Sequence, residues 1–277
     1  MKFKYRQKTF DIDGISQEDA IYRTIVQTRC FYEIDLLEYM YSIRHYFRKE
    51  NGTAVDVGAN IGNHSIFMQS FLTANLISIE PNPKVLAILH RNLKQNINNY
   101  SIYDCAVGET AGMGSIFLPD GAKNNVGMAK IDLDGHDNNI TITTLDAIVE
   151  RWNTTHNMDS NISIIKIDVE GMEMAALKGA KNTIQKHKPH LFIEAATIEE
   201  FGEVNSYLRS LGYKVLSRWA VTPVYHFSYN PSKRLIFAVR LAKYSHFPRS
   251  IKKIIMGEIK YLAKRRNVNS TALRSNK

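Results

Sequence analysis

The stretch AVDVGANIGNHS, residues 54–65, decides the fold class of this chain. An apolar run ends at Asp56, glycines follow at Gly58 and Gly62, and the next apolar run begins at Ser65. This order predicts a strand, a tight turn and a helix. A turn without side chains lets the backbone approach a ligand closely and directs the N–H groups of the following helix at it.

A second apolar run, LISIEPN, places Glu80 at its end, 24 residues beyond Asp56. An acidic residue near this spacing binds ribose hydroxyls in dinucleotide folds. Because the turn reads Gly58-Ala-Asn-Ile-Gly62 and not G-x-G-x-x-G, the pattern favours S-adenosylmethionine over NAD. An ordinary turn between strand and helix explains the glycines alone, but not the whole order of strand, turn, helix and terminal Glu.

The composition is that of a globular protein, with 44% apolar and 23% charged residues in 277. Two cysteines, Cys30 and Cys105, provide no disulfide framework and predict a reducing compartment. No Cys or His spacing is typical of a metal site, so no metal ligands are predicted. There is no apolar signal segment, and no run reaches the roughly 18 apolar residues of a membrane span, so we expect a cytoplasmic protein.

The net charge of +9 is concentrated at the C-terminal end, because residues 233–277 hold 13 Lys or Arg and one acid. The tail, residues 245–277, has apolar residues at helical spacing among its lysines, which predicts a basic amphipathic helix. Through residues 245–265 this helix would bring the protein to an anionic membrane, peripherally and at the inner face. A solvated helix that packs its apolar edge on the domain explains the pattern equally well.

The rest of the chain alternates strand and helix patterns. Residues 1–50 are predicted to form an N-terminal helical cap, and residues 51–244 an α/β domain with a doubly wound, mostly parallel sheet. Residues 107–161 interrupt the alternation as a substrate-loop insertion with a β-pair. The predicted strands lie near 53–57, 76–80, 101–106, 162–168, 190–195, 213–218 and 234–240, and the predicted helices at 64–72, 83–97, 172–186 and 199–211.

A second motif, IIKIDVEGMEMAALKGA at residues 164–180, ends a buried strand with two acids directly before a helix. Asp168 and Glu170 are two residues apart, so both side chains point toward the same side of the strand. Acids here can position a cation or take a proton from an acceptor. Capping of the helix N-terminus is the alternative, and it stabilises a helix by about 0.3–1 kcal/mol per acid.

The motifs VDVGANIGNHS, SIEPNP, DCAVG, TTLD and KIDVEGMEMAALKGA occur in this order. Together they resemble the FkbM family of S-adenosylmethionine-dependent methyltransferases, over roughly residues 30–230. The segments HLFIEA (190–195) and WAVTPVYHF (219–227) are similar to the family's glycan-associated bacterial members. The resemblance implies a Rossmann-like class I methyltransferase fold, with a seven-stranded sheet and a terminal antiparallel strand.

The resemblance also implies a set of donor-binding residues. Glu80 would bind the ribose hydroxyls, Asp104 would lie near the adenine amino group, and Asp168 would face the methionine end. The full set is Tyr32, Glu33, Asp56, Gly58, Asn60, Gly62, Glu80, Asp104, Cys105 and Asp168.

Catalysis on a sugar hydroxyl calls for a base, which typically contributes about 10²–10⁴-fold. Four candidates are His64, Asp168, Glu170 and Glu194. His64 could instead be a helix-start residue bonded to a carbonyl group. The predicted acceptor-binding residues are Asn125, Trp219 and Thr222, although Trp219 serves equally well as a core residue.

The sequence therefore predicts an O-methyltransferase acting on a sugar hydroxyl of a bacterial surface glycan or glycolipid. Methylation of RNA or of another small molecule is one alternative, but nucleic acid is not favoured because the basic residues lie far along the chain from the cleft. A membrane-associated module without catalytic activity is the other alternative.

Overall fold

The computed structural model describes residues 1–16, 19–47, 52–117, 130–132, 139–157 and 159–245. The chain divides into two compact units, Met1–Ser232 and Lys233–Lys277. The basic tail beyond residue 245 and the predicted acceptor residue Asn125 lie outside the described residues. Among the described residues no helix is both long and apolar enough to cross a membrane.

The elements of the described chain follow in chain order. The strands are β1 (Lys2–Tyr5), β2 (Lys8–Asp11), β3 (Gly52–Val57), β4 (Asn75–Ile79), β5 (Tyr100–Tyr103), β6 (Ala106–Val107), β7 (Gly112–Phe117), β8 (Lys130–Asp132), β9 (Ile140–Thr143), β10 (Asn161–Ile167), β11 (His190–Glu194), β12 (Tyr213–Trp219) and β13 (Val224–Tyr229). The helices are α1 (Ala20–Thr28), α2 (Ile34–Ser42), α3 (Asn63–Phe71), α4 (Pro83–Asn96), α5 (Leu145–His156), α6 (Glu173–Gly179), α7 (Lys181–His187), α8 (Ile198–Ser210) and α9 (Lys233–Ser245), with a 3₁₀ turn at Arg44–Tyr46.

The central sheet has the strand order β12-β13-β11-β10-β3-β4-β5. Neighbouring strands from β11 to β5 are parallel, and β13 is antiparallel to both β11 and β12. The α/β class, the seven strands and the terminal antiparallel strand are therefore confirmed. The order reverses between β3 and β10, and ligands of open α/β sheets bind at the carboxyl ends of strands beside such a reversal.

The predicted strand at residues 234–240 is wrong, because that segment lies in α9. The seventh strand is β13, which lies partly in the WAVTPVYHF segment. A short apolar run such as LIFAV does not distinguish a buried strand from a helix. Leu235, Val239 and Ala242 are spaced four and three residues apart, which is helical periodicity.

The first fifty residues contain a β-hairpin in addition to the predicted helices. β1 and β2 pair antiparallel around Arg6 and Gln7, which both have positive φ, 45° and 67°. Such turns normally use Asn or Gly, so this Arg-Gln pair gives no hairpin signal in the sequence. Phe31 packs its ring against Phe10 and Phe67 at centroid distances of 4.9 and 5.4 Å, which anchors the segment to α3.

The insertion at residues 107–161 contributes a second sheet with the order β6-β9-β7-β8. In this sheet β7 and β9 pair antiparallel, from Gly112 opposite Ile142 to Gly114 opposite Ile140. β8 extends the sheet by pairing with β7. Ile116 on β7 and Ile131 on β8 line a cavity at the edge of the central sheet.

Candidate active site

A cavity of about 440 Å³ lies at the carboxyl ends of β3, β4, β10 and β11. It is bounded by the turn after β3, the start of α3, the segment before α2, and the β7–β8 hairpin. This is the edge at which parallel strands of an α/β sheet present their terminal residues. One half of the lining is mainly apolar and the other is rich in acidic side chains.

Gly58 allows the tips of β3 and β10 to meet. Its φ is +80°, and a Cβ added there would lie 1.8 Å from the carbonyl oxygen of Asp168. Its N–H group and that of Ala59 both donate to the carbonyl oxygen of Ile79. Only glycine fits a left-handed backbone against another chain segment in this way, so the turn brings β3, β4 and β10 together.

Gly62 has a packing role that the sequence pattern did not predict. It precedes α3 with φ +89°, and an added Cβ would lie 2.9 Å from a methyl group of Leu89. The glycine therefore allows close packing of α3 on α4, and its predicted contact with the donor stays a prediction.

Glu80 lies at the end of β4 with its carboxylate fixed by the backbone. The N–H groups of Asn60 and Asn82 donate to its two oxygens at 2.8 and 2.9 Å. Glu80 is 7% exposed and lines the cavity. Burial raises its pKa to about 7, although these two hydrogen bonds act in the opposite direction. Its remaining lone pairs can accept hydrogen bonds from two neighbouring hydroxyls, as the ribose prediction requires.

The apolar half of the cavity surrounds this carboxylate with surfaces that suit a flat ring. Cys105 is buried there, and burial, followed by the charge of Asp104, raises the pKa of its thiol to about 11, so it behaves as an apolar group. Asp104 itself is exposed and does not line the cavity. The apolar lining residues include Val85, Cys105, Ala106, Val107, Ile116, Ile131 and Met172.

Lys166 organises the acidic half. Its Nζ atom is 2.8 Å from Asp168 Oδ2 and 4.0 Å from Asp56 Oδ1. Asp56 is fully buried, accepts a hydrogen bond from Ser65 Oγ at 2.6 Å, and does not line the cavity. Asp56 thus supports the buried charge of Lys166, and its predicted contact with the donor stays a prediction.

Asp168 and Glu194 bring their carboxyl groups together at the tips of β10 and β11, with carboxylate oxygens within 4.8 Å of each other. Burial and the charge of Asp168 raise the pKa of Glu194. Burial acts on Asp168 in the same sense, but the Lys166 ammonium outweighs it and lowers the pKa of Asp168.

Glu170 completes the acidic half from a strained position. Its φ is +53°, a left-handed conformation that is costly for a residue with a side chain. Burial raises its pKa, as does the charge of Asp168. Carboxylate oxygens of Asp168, Glu170 and Glu194 all lie within 4.8 Å of one another. Because the Lys166 ammonium already balances part of this charge, we assign no metal ligands.

Tyr32, Glu33 and His64 lie together at the same end of the cavity. The N–H group of Tyr32 donates to Asn63 Oδ1 at 2.9 Å, and Asn63 Nδ2 donates to the Tyr32 carbonyl oxygen at 3.1 Å. His64 Nε2 lies 3.2 Å from Glu33 Oε2. Burial, followed by the charge of Glu33, raises the pKa of Tyr32 to about 12. The two reciprocal hydrogen bonds fix the segment on the start of α3.

The two described acceptor candidates differ in position. Thr222 lines the cavity. Trp219 does not, since its ring stacks on that of Tyr39 at a centroid distance of 4.7 Å. Tyr39 in turn bonds to buried His226, with 2.5 Å between its hydroxyl oxygen and His226 Nδ1. Trp219 therefore fits the core interpretation.

Several lining residues were not predicted from the sequence. Lys166 is the most informative, because a lone cation in an apolar strand needs a buried counter-charge, and that signal was present in the KIDVEG motif. Ile116, Ile131 and Met172 gave no comparable signal, since apolar residues occur throughout the chain.

The strand order and the placement of Glu80 define a Rossmann-like fold of the class I methyltransferase type. A model of the methyltransferase FkbM domain matches residues 56–215, which is more than half of the chain. The chain belongs to the FkbM methyltransferase family.

Two curated relatives and one crystal structure are similar to parts of the chain. Hexuronic acid methyltransferase AglP of Haloferax volcanii is 30% identical over 140 residues, which are 50% of this chain and 53% of AglP. Methyltransferase 1 of Beauveria bassiana is 24% identical over 183 residues, 58% of this chain and 72% of that protein. The crystal structure of methyltransferase FkbM from Methylobacillus flagellatus aligns with a TM-score of 0.47 and 19% identity, over 75% of this chain and 58% of that one. The chain thus spans about half the length of AglP.

Proposed function

We propose that this protein transfers a methyl group from S-adenosylmethionine to a hydroxyl of a sugar, in a bacterial surface glycan or glycolipid. The observation that carries the proposal is Glu80, a buried carboxylate held by two backbone N–H groups at the wall of a cavity. Few ligands need such a fixed acceptor of two hydrogen bonds beside an apolar slot, and the ribose and adenine of a nucleoside are among them.

The residues present fit the donor along its whole length. The apolar half, with Cys105, Ile116 and Ile131, suits adenine, and Glu80 suits the ribose. The acidic half suits the positive charges of the methionine end, since opposite charges attract strongly in a site shielded from water. When bound, S-adenosylmethionine would supply a methyl group that is already activated on a sulfonium.

The chain's own task is then to orient the acceptor and to receive its hydroxyl proton. Asp168 is the best placed base, because the Lys166 ammonium 2.8 Å away keeps its carboxylate ionised. His64 and Glu170 line the same end and remain candidates for the same role. Thr222 offers a hydroxyl that can hydrogen-bond an acceptor hydroxyl at that end. Positioning of this kind supplies much of the rate when the transferred group is already activated.

A sugar acceptor is supported by family membership and by the name of one relative, hexuronic acid methyltransferase AglP. Cytoplasmic action on a lipid-linked saccharide at the inner membrane face would agree with the basic sequence of residues 245–265. Methylation of RNA or of another small molecule is the competing assignment.

The donor is tested by calorimetry with S-adenosylmethionine. We expect binding by the wild-type chain and a loss of about 10–100-fold in affinity for Glu80→Ala, since a hydrogen bond to a charged group contributes about 1.5–3 kcal/mol. Glu203→Gln, an exposed acid on α8, is the matched control and should bind as the wild type does. A folded wild-type sample that binds no donor would refute the proposal.

The acceptor is tested by mass spectrometry of products formed with isotopically labelled donor. Purified surface glycan, lipid-linked saccharide and total RNA are offered in parallel. Label in a sugar hydroxyl supports the assignment, and label in RNA alone overturns it.

A further inference from the structure

Two aspartates balance the positive charge of the Lys166 ammonium. Lys166 lies in the apolar strand β10 and is 1% exposed. Its Nζ atom contacts Asp168 at 2.8 Å and lies 4.0 Å from buried Asp56. An ammonium so far from water is stable only beside carboxylates that are themselves ionised. The geometry therefore favours the charged form of Asp168, the nearer of the two aspartates.

Glu194 sits on the other side of Asp168. Carboxylate oxygens of the two residues lie within 4.8 Å of each other. Two like charges this close repel each other strongly, which favours a proton on one of the two groups. Lys166 is paired with Asp168 and not with Glu194, so the two groups are not equivalent.

We propose that Lys166 is a positioning residue, which places the proton of the Asp168–Glu194 pair on Glu194 and leaves Asp168 as the ionised carboxylate facing the cavity. Glu194 is then a neutral hydrogen-bond donor and not a general base. What Asp168 does with its charge rests on the proposed function, whereas the position of the proton is a property of the protein without ligands.

The groups around Glu194 act in the same direction. From β10 and its C-terminal end, Asp168 and Glu170 disfavour a further negative charge, and Lys166 acts against them. Tyr32 and Glu33, before α2, and His64, on α3, line the same end of the cavity. Glu33 adds another acid to this end, and Glu194 is largely buried. Burial and neighbouring acids thus outweigh one lysine that is already paired elsewhere.

The proposal gives different protonation states to Asp168 and Glu194, two carboxyl groups that the sequence alone does not distinguish. A protonated Glu194 can hold the Asp168 carboxylate in one orientation by donating to one of its oxygens. The Lys166 ammonium holds Oδ2 of the same carboxylate. Asp168 would thereby be preorganised to receive a hydroxyl proton, with no reorientation during the reaction.

The proton is located by ¹³C NMR of the ligand-free chain, labelled at Glu Cδ and Asp Cγ and kept in chelator. Glu194→Gln and Asp168→Asn assign the two resonances by their absence. We expect the Glu194 carbon at the position of a protonated carboxyl and the Asp168 carbon at that of a carboxylate at neutral pH. An ionised Glu194 or a protonated Asp168 at neutral pH overturns the proposal.

The role of Lys166 is tested with Lys166→Met, for which we expect the titration midpoint of Asp168 to rise by about 1–3 pH units, the usual effect of removing a nearby opposite charge. Lys178→Met breaks the surface pair with Glu109, which has an N···O distance of 3.0 Å, and should leave that midpoint unchanged. If Lys166→Met does not fold, Asp56→Asn gives the opposite shift, since the ammonium then has Asp168 as its nearer and only remaining aspartate. An unchanged Asp168 midpoint in the folded variant contradicts the proposal.

The NMR result is independent of donor binding. A chain that fails to bind S-adenosylmethionine but carries the proton on Glu194 would refute only the proposed function. A chain that binds the donor with Glu194 ionised would refute only the assignment of the proton.

Discussion

The two ends of the cavity both hold carboxylates, but they hold them by different means. Glu80 is buried and accepts hydrogen bonds from the N–H groups of Asn60 and Asn82, so the backbone fixes it. Asp168 is partly exposed and is held by the side chain of Lys166. A carboxylate held by backbone depends on the path of one turn, whereas a carboxylate held by side chains depends on packing between strands. The end that holds Glu80 should therefore tolerate side-chain substitutions better than the end that holds Asp168.

Lys166→Met should have the largest effect on stability. It leaves Asp56 and Asp168 without their buried cation, and removal of one partner of a buried ion pair typically costs about 3–5 kcal/mol. Urea unfolding followed by circular dichroism measures the free energy of unfolding. The surface variant Lys178→Met should lose only ~0–1 kcal/mol. Equal losses for the two lysines would show that the acidic end does not depend on its buried ion pair.

Gly58→Ala should rank next, because it breaks the turn that serves both ends. Left-handed backbone costs a residue with a side chain about 1–2 kcal/mol, and the added Cβ would also overlap the Asp168 carbonyl oxygen. Gly171→Ala is the matched control, with φ +103° and no atom within 4 Å of an added Cβ. The two alanine variants are compared by urea unfolding, and Gly58→Ala should be the less stable. If Gly171→Ala lost as much stability, close approach of β3 and β10 would not be the reason for Gly58.

Glu80 should make stability depend on pH. Its pKa is raised from 4.5 to about 7 in the folded chain, so between these values the folded state holds more proton than the unfolded state. Its stabilising contribution is therefore present below about pH 4.5 and is lost as the pH rises through about 7. Relative to Glu80→Gln, the wild type should lose up to about 1.4 kcal/mol per pH unit in this window.

The measurement for Glu80 is urea unfolding of both proteins across the same pH series. Glu203→Gln serves as the exposed control. A difference between wild type and Glu80→Gln that stays constant with pH would mean that the two backbone hydrogen bonds fully offset burial.

Removal of the basic tail, residues 245–277, ranks last among these predictions. Its expected effect is on membrane binding, where each Lys or Arg near an anionic surface contributes about 1 kcal/mol. Sedimentation with phosphatidylserine vesicles compares the full chain with a truncation after residue 244. Equal sedimentation of the two chains would end the prediction of peripheral membrane contact.

The end of the cavity that holds Glu80 could be predicted from the sequence, because it depends on the order of residues within short segments. Asp56, Gly58 and Glu80 occur at the spacing of a strand, a turn and a second strand, and this spacing correctly predicted the strand ends and the position of Glu80. Even here, the structure shows two packing contacts that the pattern did not predict. Asp56 lies beneath the cavity, and Gly62 serves helix packing, because a pattern gives a residue's place along the chain but not the depth of its side chain.

The acidic end of the cavity could be predicted from the sequence only in part. Asp168, Glu170 and Glu194 were all recognised as strand-end acids, but their inequality comes from Lys166 and from burial. The hairpin residues Ile116 and Ile131 reach the cavity only through the pairing of β7 with β8. Such contacts join residues that are far apart in the sequence, so no local periodicity predicts them.

The sequence by itself determined the α/β class, the family, the turn after the first strand of the domain and the acid that ends the second, because periodicity and glycine chemistry act over a few residues. The tertiary structure decided which carboxylates face the cavity, which lie beneath it, and which one is paired with a buried lysine. Those outcomes depend on how strands distant in the chain bury one another's charges, and burial sets the cost of each charge.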